Sequence, residues 1–252
     1  MTLTLLPETA AIFMMIFARL GTMVMLMPGF GERGVPVRIR LSIAILMTLL
    51  FFPMVSGNYT ISLAIPALVT MLVGEIAVGL VIGGTGRLLM SGLQSAGVVI
   101  ANQLGLGTVF SQDPTQGQQG AIFSGFLSIL AITLIFASDM HHLIIAALHD
   151  SYELFGPGAL PNTADAARLI VQTVGGAFKI AIQISAPFLV FGLILNAGLG
   201  VLAKLMPQMQ VFFIAMPITI ILGLMLFGLV IGAMMATYLT YVETGLAPFV
   251  SR

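Results

Sequence analysis

Ile65 to Met90 reads IPALVTMLVGEIAVGLVIGGTGRLLM. Before Arg87 its only charge is Glu75, and the run exceeds the ~20 apolar residues that a helix needs to cross a bilayer. Gly74, Gly79, Gly83, Gly84 and Gly86 fall within thirteen positions, and Gly79 and Gly83 stand four apart. Where apolar burial gives helices no reason to associate, small residues let their backbones approach closely. The stretch therefore reads as a membrane helix built for intimate packing.

The rest of the chain agrees. Of 252 residues, 59% are hydrophobic and 7% charged, with a mean hydropathy of +1.12. A soluble domain carries about a quarter charged residues. The net charge is zero, which gives no case for a nucleic-acid partner. There is no cysteine, which removes disulfides, thiolate chemistry, iron–sulfur clusters and thiolate zinc sites. The opening, MTLTLLPETAAIF, has no basic region and carries Glu8, so the first hydrophobic segment is expected to stay in the mature protein.

Six hydrophobic segments follow one another: Ala10 to Pro28, Ile39 to Val55, Ile65 to Met90, Ala121 to Leu148, Leu169 to Gly200 and Val211 to Val242. The fold class they predict is all-α, an integral membrane protein of about six long, kinked helices, with no soluble domain. Pro66, Pro187 and Pro217 start or interrupt segments, where each removes a backbone donor and favours a kink. Gly228 and Gly232 form a second small-residue pair. Arg33, Arg38, Arg40, Arg87 and Lys204 fall in the first, third and fifth connections, whereas the fourth is acidic. Basic loops stay in the cytoplasm, so both termini are expected outside.

Arg19, Glu75 and Lys179 lie inside hydrophobic segments. A charge at the bilayer centre costs several kcal/mol and is usually functional or paired. An ion relay or substrate counter-charge is one reading. With one charge per helix and no partner apparent in sequence, packing at a subunit interface is the simpler one. His141 and His142 follow Asp139, and His149 lies one heptad beyond His142. A metal site wants three or four converging ligands, and adjacent side chains on a helix project about 100° apart, so the histidines read as a polar helix end with no metal. GGTGR at Gly83–Arg87 lacks the spacing and the lysine of a Walker loop. Ser111 and Asp113 have no histidine nearby in sequence. The chain reads as a non-enzyme without cofactors.

The stretch QLGLGTVFSQDPTQGQQG, Gln103 to Gly120, is soft and polar between apolar segments. Backbone that is not helical is allowed at membrane depth only inside protein or beside water. An ordinary cytoplasmic loop is the alternative.

Three blocks together carry a resemblance. RLGTMVMLMPGFGERGVPVRIRLSIAILMT (Arg19–Thr48), GEIAVGLVIG (Gly74–Gly83) and LNAGLGVLAKLMPQMQVFFIAMPITIILGL (Leu195–Leu224) resemble the FliR family in order and spacing over nearly the whole chain. That resemblance implies one membrane domain of helical hairpins, FliP-like over about residues 1–168 and FliQ-like over about 169–252. It implies a subunit of the flagellar type III export gate in the bacterial inner membrane and flagellar basal body. Its partners would be FliP-like and FliQ-like subunits, FlhB-like and FlhA-like proteins, membrane lipid and unfolded export substrates. A homologous subunit of a virulence injectisome is the alternative, with a small-solute carrier behind it. The resemblance also implies a pore plug made of Gly107, Thr108, Val109, Phe110, Ser111, Gln112, Asp113, Pro114, Thr115, Gln116 and Gly117. Gln112 departs from members with a hydrophobic residue before Asp-Pro. Lys204, Pro207 and Gln208 would shape a cytoplasmic turn.

Overall fold

The structure, a computed structural model, describes residues 5–32, 34–105, 121–206 and 211–250. The helices are α1 (Leu5–Leu26), α2 (Val37–Val55), α3 (Ile65–Gln103), α4 (Ala121–Ala137), α5 (His141–Leu154), α6 (Thr163–Leu205) and α7 (Val211–Leu246). Single 3-10 turns follow α2 and α7. Among the described residues there is no strand. Helices satisfy their own backbone polar groups, which is what lipid demands of a spanning segment. Five of them are long and apolar enough to cross a membrane, and α4 with α5, bent by 78°, can make a sixth.

Two segments depart from the hydropathy pattern. The third continues past Met90 to Gln103, because Gln94, Asn102 and Gln103 lower hydropathy without opposing a helix; it stops where Gly105 takes φ 71. The fourth is two helices. Asp139 adopts φ 58 between them, a left-handed conformation that a short polar side chain tolerates better than most. Pro66 sits in the first turn of α3, where its missing N–H costs nothing. Pro187 and Pro217 lie inside α6 and α7, and Pro53 inside α2. The 43 residues of α6 make a rod of about 65 Å, twice the roughly 30 Å of a hydrocarbon core.

The chain forms two compact units. The first comprises Met1–Leu89, Ile135–Val174 and Val242–Arg252. Its core gathers Met15, Leu20 and Met23 from α1, Val78 and Ile82 from α3, and Leu148 from α5. Here α3 lies directly on α1. A Cβ at Gly79 would stand 2.8 Å from the Arg19 carbonyl oxygen, and one at Gly83 would stand 3.0 Å from Leu26 Cβ.

The second unit comprises Met90–Leu134 and Gly175–Tyr241. Leu93, Ile100, Leu127, Ile184, Phe188 and Met235 are buried in it, and Phe227 meets the rings of Phe123, Phe126 and Phe188. The Tyr238 hydroxyl donates to Met90 Sδ at 2.8 Å. Much of α6 and α7 remains bare: Leu193, Ile194, Met225 and Leu229 are among the exposed apolar residues.

Candidate functional site: a buried charge pair and the loop it holds

Arg19 and Glu75 are fully buried, and they meet. Arg19 Nε donates to Glu75 Oε2 at 2.5 Å. The close seat of α3 on α1 at Gly79, one turn beyond Glu75, brings the two side chains together. The sequence reading set each charge against a neighbouring subunit; these two are instead satisfied inside the chain. Hydropathy scores charges one at a time and carries no signal for a partner 56 residues away.

The pair does more than neutralise itself. Arg19 Nη1 donates to the carbonyl oxygens of Ser151 and Phe155, both at 3.0 Å, and Nη2 reaches Gly156 O at 3.5 Å. Ser151 O already accepts the Phe155 N–H, so the guanidinium is its second donor, and it supplies a donor to the Phe155 carbonyl just beyond the end of α5. Its planar fork suits several acceptors at once. The Tyr152 ring lies beneath it, 4.3 Å from ring centroid to Cζ, in a cation–π contact. Glu75 Oε1 accepts the Gly158 N–H at 2.7 Å. Gly158 needs its φ of 72, which suits glycine, and its carbonyl sits where a Cβ on Gly74 would stand 2.9 Å away. Tyr59 is buried nearby; burial first, then Tyr152 and Glu75, push its hydroxyl pKa up, so it stays neutral.

Glu75 lies ten residues into α3, about 15 Å along its axis. Phe155–Gly158 thus brings irregular backbone deep against the helices, and its polar groups are met by Arg19 and Glu75. Such backbone is tolerated only inside protein. Gln103–Gly120 is the stretch expected in that role from sequence, and the plug expected within it, Gly107–Gly117, lies outside the described residues. The signal for the second stretch was present as Gly156-Pro157-Gly158.

Lys179 is exposed on α6 and forms no ion pair with a described carboxylate. Lys204 is exposed in the last turn of α6; Pro207 and Gln208 lie outside the described residues. Arg87 Nη1 pairs with Glu32 Oε1 at 3.2 Å, which ties the first connection to α3. The histidines differ from expectation. Asp139, His141 and His142 offer donor atoms within 4.8 Å of one another, because the chain turns at Asp139 before α5 begins.

Among curated proteins, the flagellar biosynthetic protein FliR of Caulobacter vibrioides is 41% identical over 216 residues, 85% of this chain and 86% of that one. FliR of Pectobacterium carotovorum is 30% identical, covering 85% of this chain and 82% of that one. The Yop proteins translocation protein T of Yersinia pestis is 26% identical over 72% of this chain and 70% of that protein. Residues 10–245 match the family described as bacterial export proteins, family 1. The matched region takes in every helix that carries the buried pair and the loop it holds, and the chain belongs to that family.

Proposed function

We propose that this chain is a membrane subunit of the flagellar type III export gate, in the bacterial inner membrane at the basal body. The observation that supports it most directly is coverage: relatives named for flagellar biosynthesis match along 85% of the chain. The relative named for Yop translocation matches less of it at lower identity, which favours the flagellar reading over an injectisome. A small-solute carrier needs convergent charges that a solute can reach; Arg19 and Glu75 are both fully buried and occupied by each other and by backbone.

In this reading FliP-like and FliQ-like subunits share the channel, and FlhB-like and FlhA-like proteins adjoin it. The N-terminal part, about 1–168, has the FliP-like role and 169–252 the FliQ-like role. Gly107–Gly117 plugs the closed pore, Lys204, Pro207 and Gln208 form a cytoplasmic turn, and Lys179 meets a partner subunit. The chain works as a channel component and catalyses nothing. The support for a plug is its composition: glycines for unusual turns, uncharged glutamines, and Val109 and Phe110 as an apolar tip.

The decisive experiment is expression in Caulobacter vibrioides lacking its FliR. Restored swimming, with FliP and FliQ co-purifying with one copy of this chain, is the expected result. Correct membrane insertion without swimming or co-purification would overturn the proposal. Deleting Phe110–Gly117 should leave the complex assembled but leaky to ions; an assembled complex as tight as wild type would remove the plug.

A further inference from the structure

The three side chains at the α4–α5 break form an arrangement that the export reading does not use. Asp139 turns the chain with φ 58, and His141 and His142 are the first two residues of α5, where no preceding helical turn restricts their side chains. The two imidazole rings stand 4.2 Å apart at 34°, and one donor atom from each of the three residues lies within 4.8 Å of the others.

The neighbours of the two histidines set how each ring is presented. His142 Nδ1 lies 3.2 Å from the Asp139 carbonyl oxygen. A carbonyl can only accept, so in the neutral ring this contact puts the proton on Nδ1 and leaves Nε2 as the ligand atom. This is the outer contact that fixes the tautomer of metal-binding histidines. His141 stacks on Phe136, with centroids 5.4 Å apart at 27°. Its Nδ1 is buried and has no hydrogen-bond partner among the described residues. Buried polar atoms are nearly always satisfied, and an exception asks for an explanation; a bound ion supplies one.

We propose that Asp139, His141 and His142 bind a borderline first-row divalent cation, with zinc as the reference ion. The donors would be two imidazole nitrogens and one carboxylate oxygen, with water in the fourth position. Imidazole donors select against calcium and magnesium, which take oxygen. A tetrahedral ion with bonds of about 2.1 Å holds its ligand atoms roughly 3.4 Å apart, and the three donor atoms already lie within 4.8 Å of one another. Bound there, the ion ties the left-handed turn to the start of α5.

The test uses the detergent-extracted assembly containing the full chain, isolated through a histidine-free tag and stripped with a chelator. Cobalt(II) is the probe, because a tetrahedral nitrogen–oxygen site gives it visible absorption much stronger than that of the aqueous ion. One equivalent per chain should develop the band, and zinc should abolish it. His141→Phe keeps the stack on Phe136, and Asp139→Asn keeps a residue at home in the left-handed region. Each should weaken binding at least about tenfold, as should His142→Ala. His149→Gln, outside the cluster, should bind as wild type. No band at one equivalent in the wild-type assembly would overturn the proposal. So would equal affinity in Asp139→Asn and His141→Phe assemblies that elute as wild type does.

Discussion

Glycine pairs four apart occur in both α3 and α7, and they are used differently. At Gly79 and Gly83 an added Cβ would press into α1 inside van der Waals contact, 2.8 and 3.0 Å away. At Gly228 and Gly232 it would meet nothing within 4 Å. The charges divide in the same way. Arg19 and Glu75 are paired and buried in the first unit, whereas Lys179 of the second is exposed. Of the most apolar stretch, 44% is buried in α1, against 11% in α6 and 17% in the α7 region. One sequence signal therefore has two outcomes: the first unit closes the Gly79–Gly83 pair and the Arg19 and Glu75 charges within the chain, and the second leaves the Gly228–Gly232 pair and Lys179 open. An open small-residue face and an unpaired charge are what another helix would complete.

The largest effect should come from breaking the closed side. Arg19→Met strands Glu75 Oε2 and the Phe155 carbonyl, and loss of one partner of a buried pair costs about 3–5 kcal/mol. Denaturant unfolding of the detergent-solubilised chain measures it. Arg19→Met with Glu75→Met should recover only part, because Phe155 O still lacks the donor that Arg19 supplied, a residue of about 1–3 kcal/mol. Full recovery would make the pair self-contained and the loop incidental.

Next, Gly79→Leu forces a side chain into the α1 backbone and should destabilise the chain by about 1–3 kcal/mol or more. Gly158→Ala should follow, at roughly 1–3 kcal/mol for a non-glycine held at positive φ, with faster proteolysis near Phe155 as its signature.

The smallest effects on the chain belong to the open side. Gly228→Leu and Lys179→Met should change its own unfolding by no more than about 0.5 kcal/mol, the range of surface substitutions. They should nevertheless reduce co-purification of partner subunits. Partner yields equal to wild type for both would remove the contrast between the units.

Much of this could be read in advance. Apolar runs near or above twenty residues marked the helices and their order, the split of the fourth apart, and Gly74 to Gly86 marked the close packing of α3. The extension of α3 to Gln103 was hidden because hydropathy falls at Gln94 and Asn102 while helix formation continues. The break at Asp139 has no glycine or proline to announce it. The Arg19–Glu75 pair was invisible because its members belong to different helices, and pairing is a property of packing. The same turn at Asp139 also brings its carboxylate within reach of His141 and His142.

The long reach of Arg19 also has a history in time. Glu75 lies 56 residues later in the chain and the Ser151 carbonyl 132 residues later. At about 5–20 residues per second of synthesis, Glu75 emerges roughly 3–11 s after Arg19, and Ser151 roughly 7–26 s after it. During the first interval α1 carries an uncompensated arginine, which costs about 2.5–3.5 kcal/mol at the centre of a spanning helix. The first helix is thus a provisional resident of the bilayer. It becomes permanent when the third arrives, and the end of α5 can be fastened only after that.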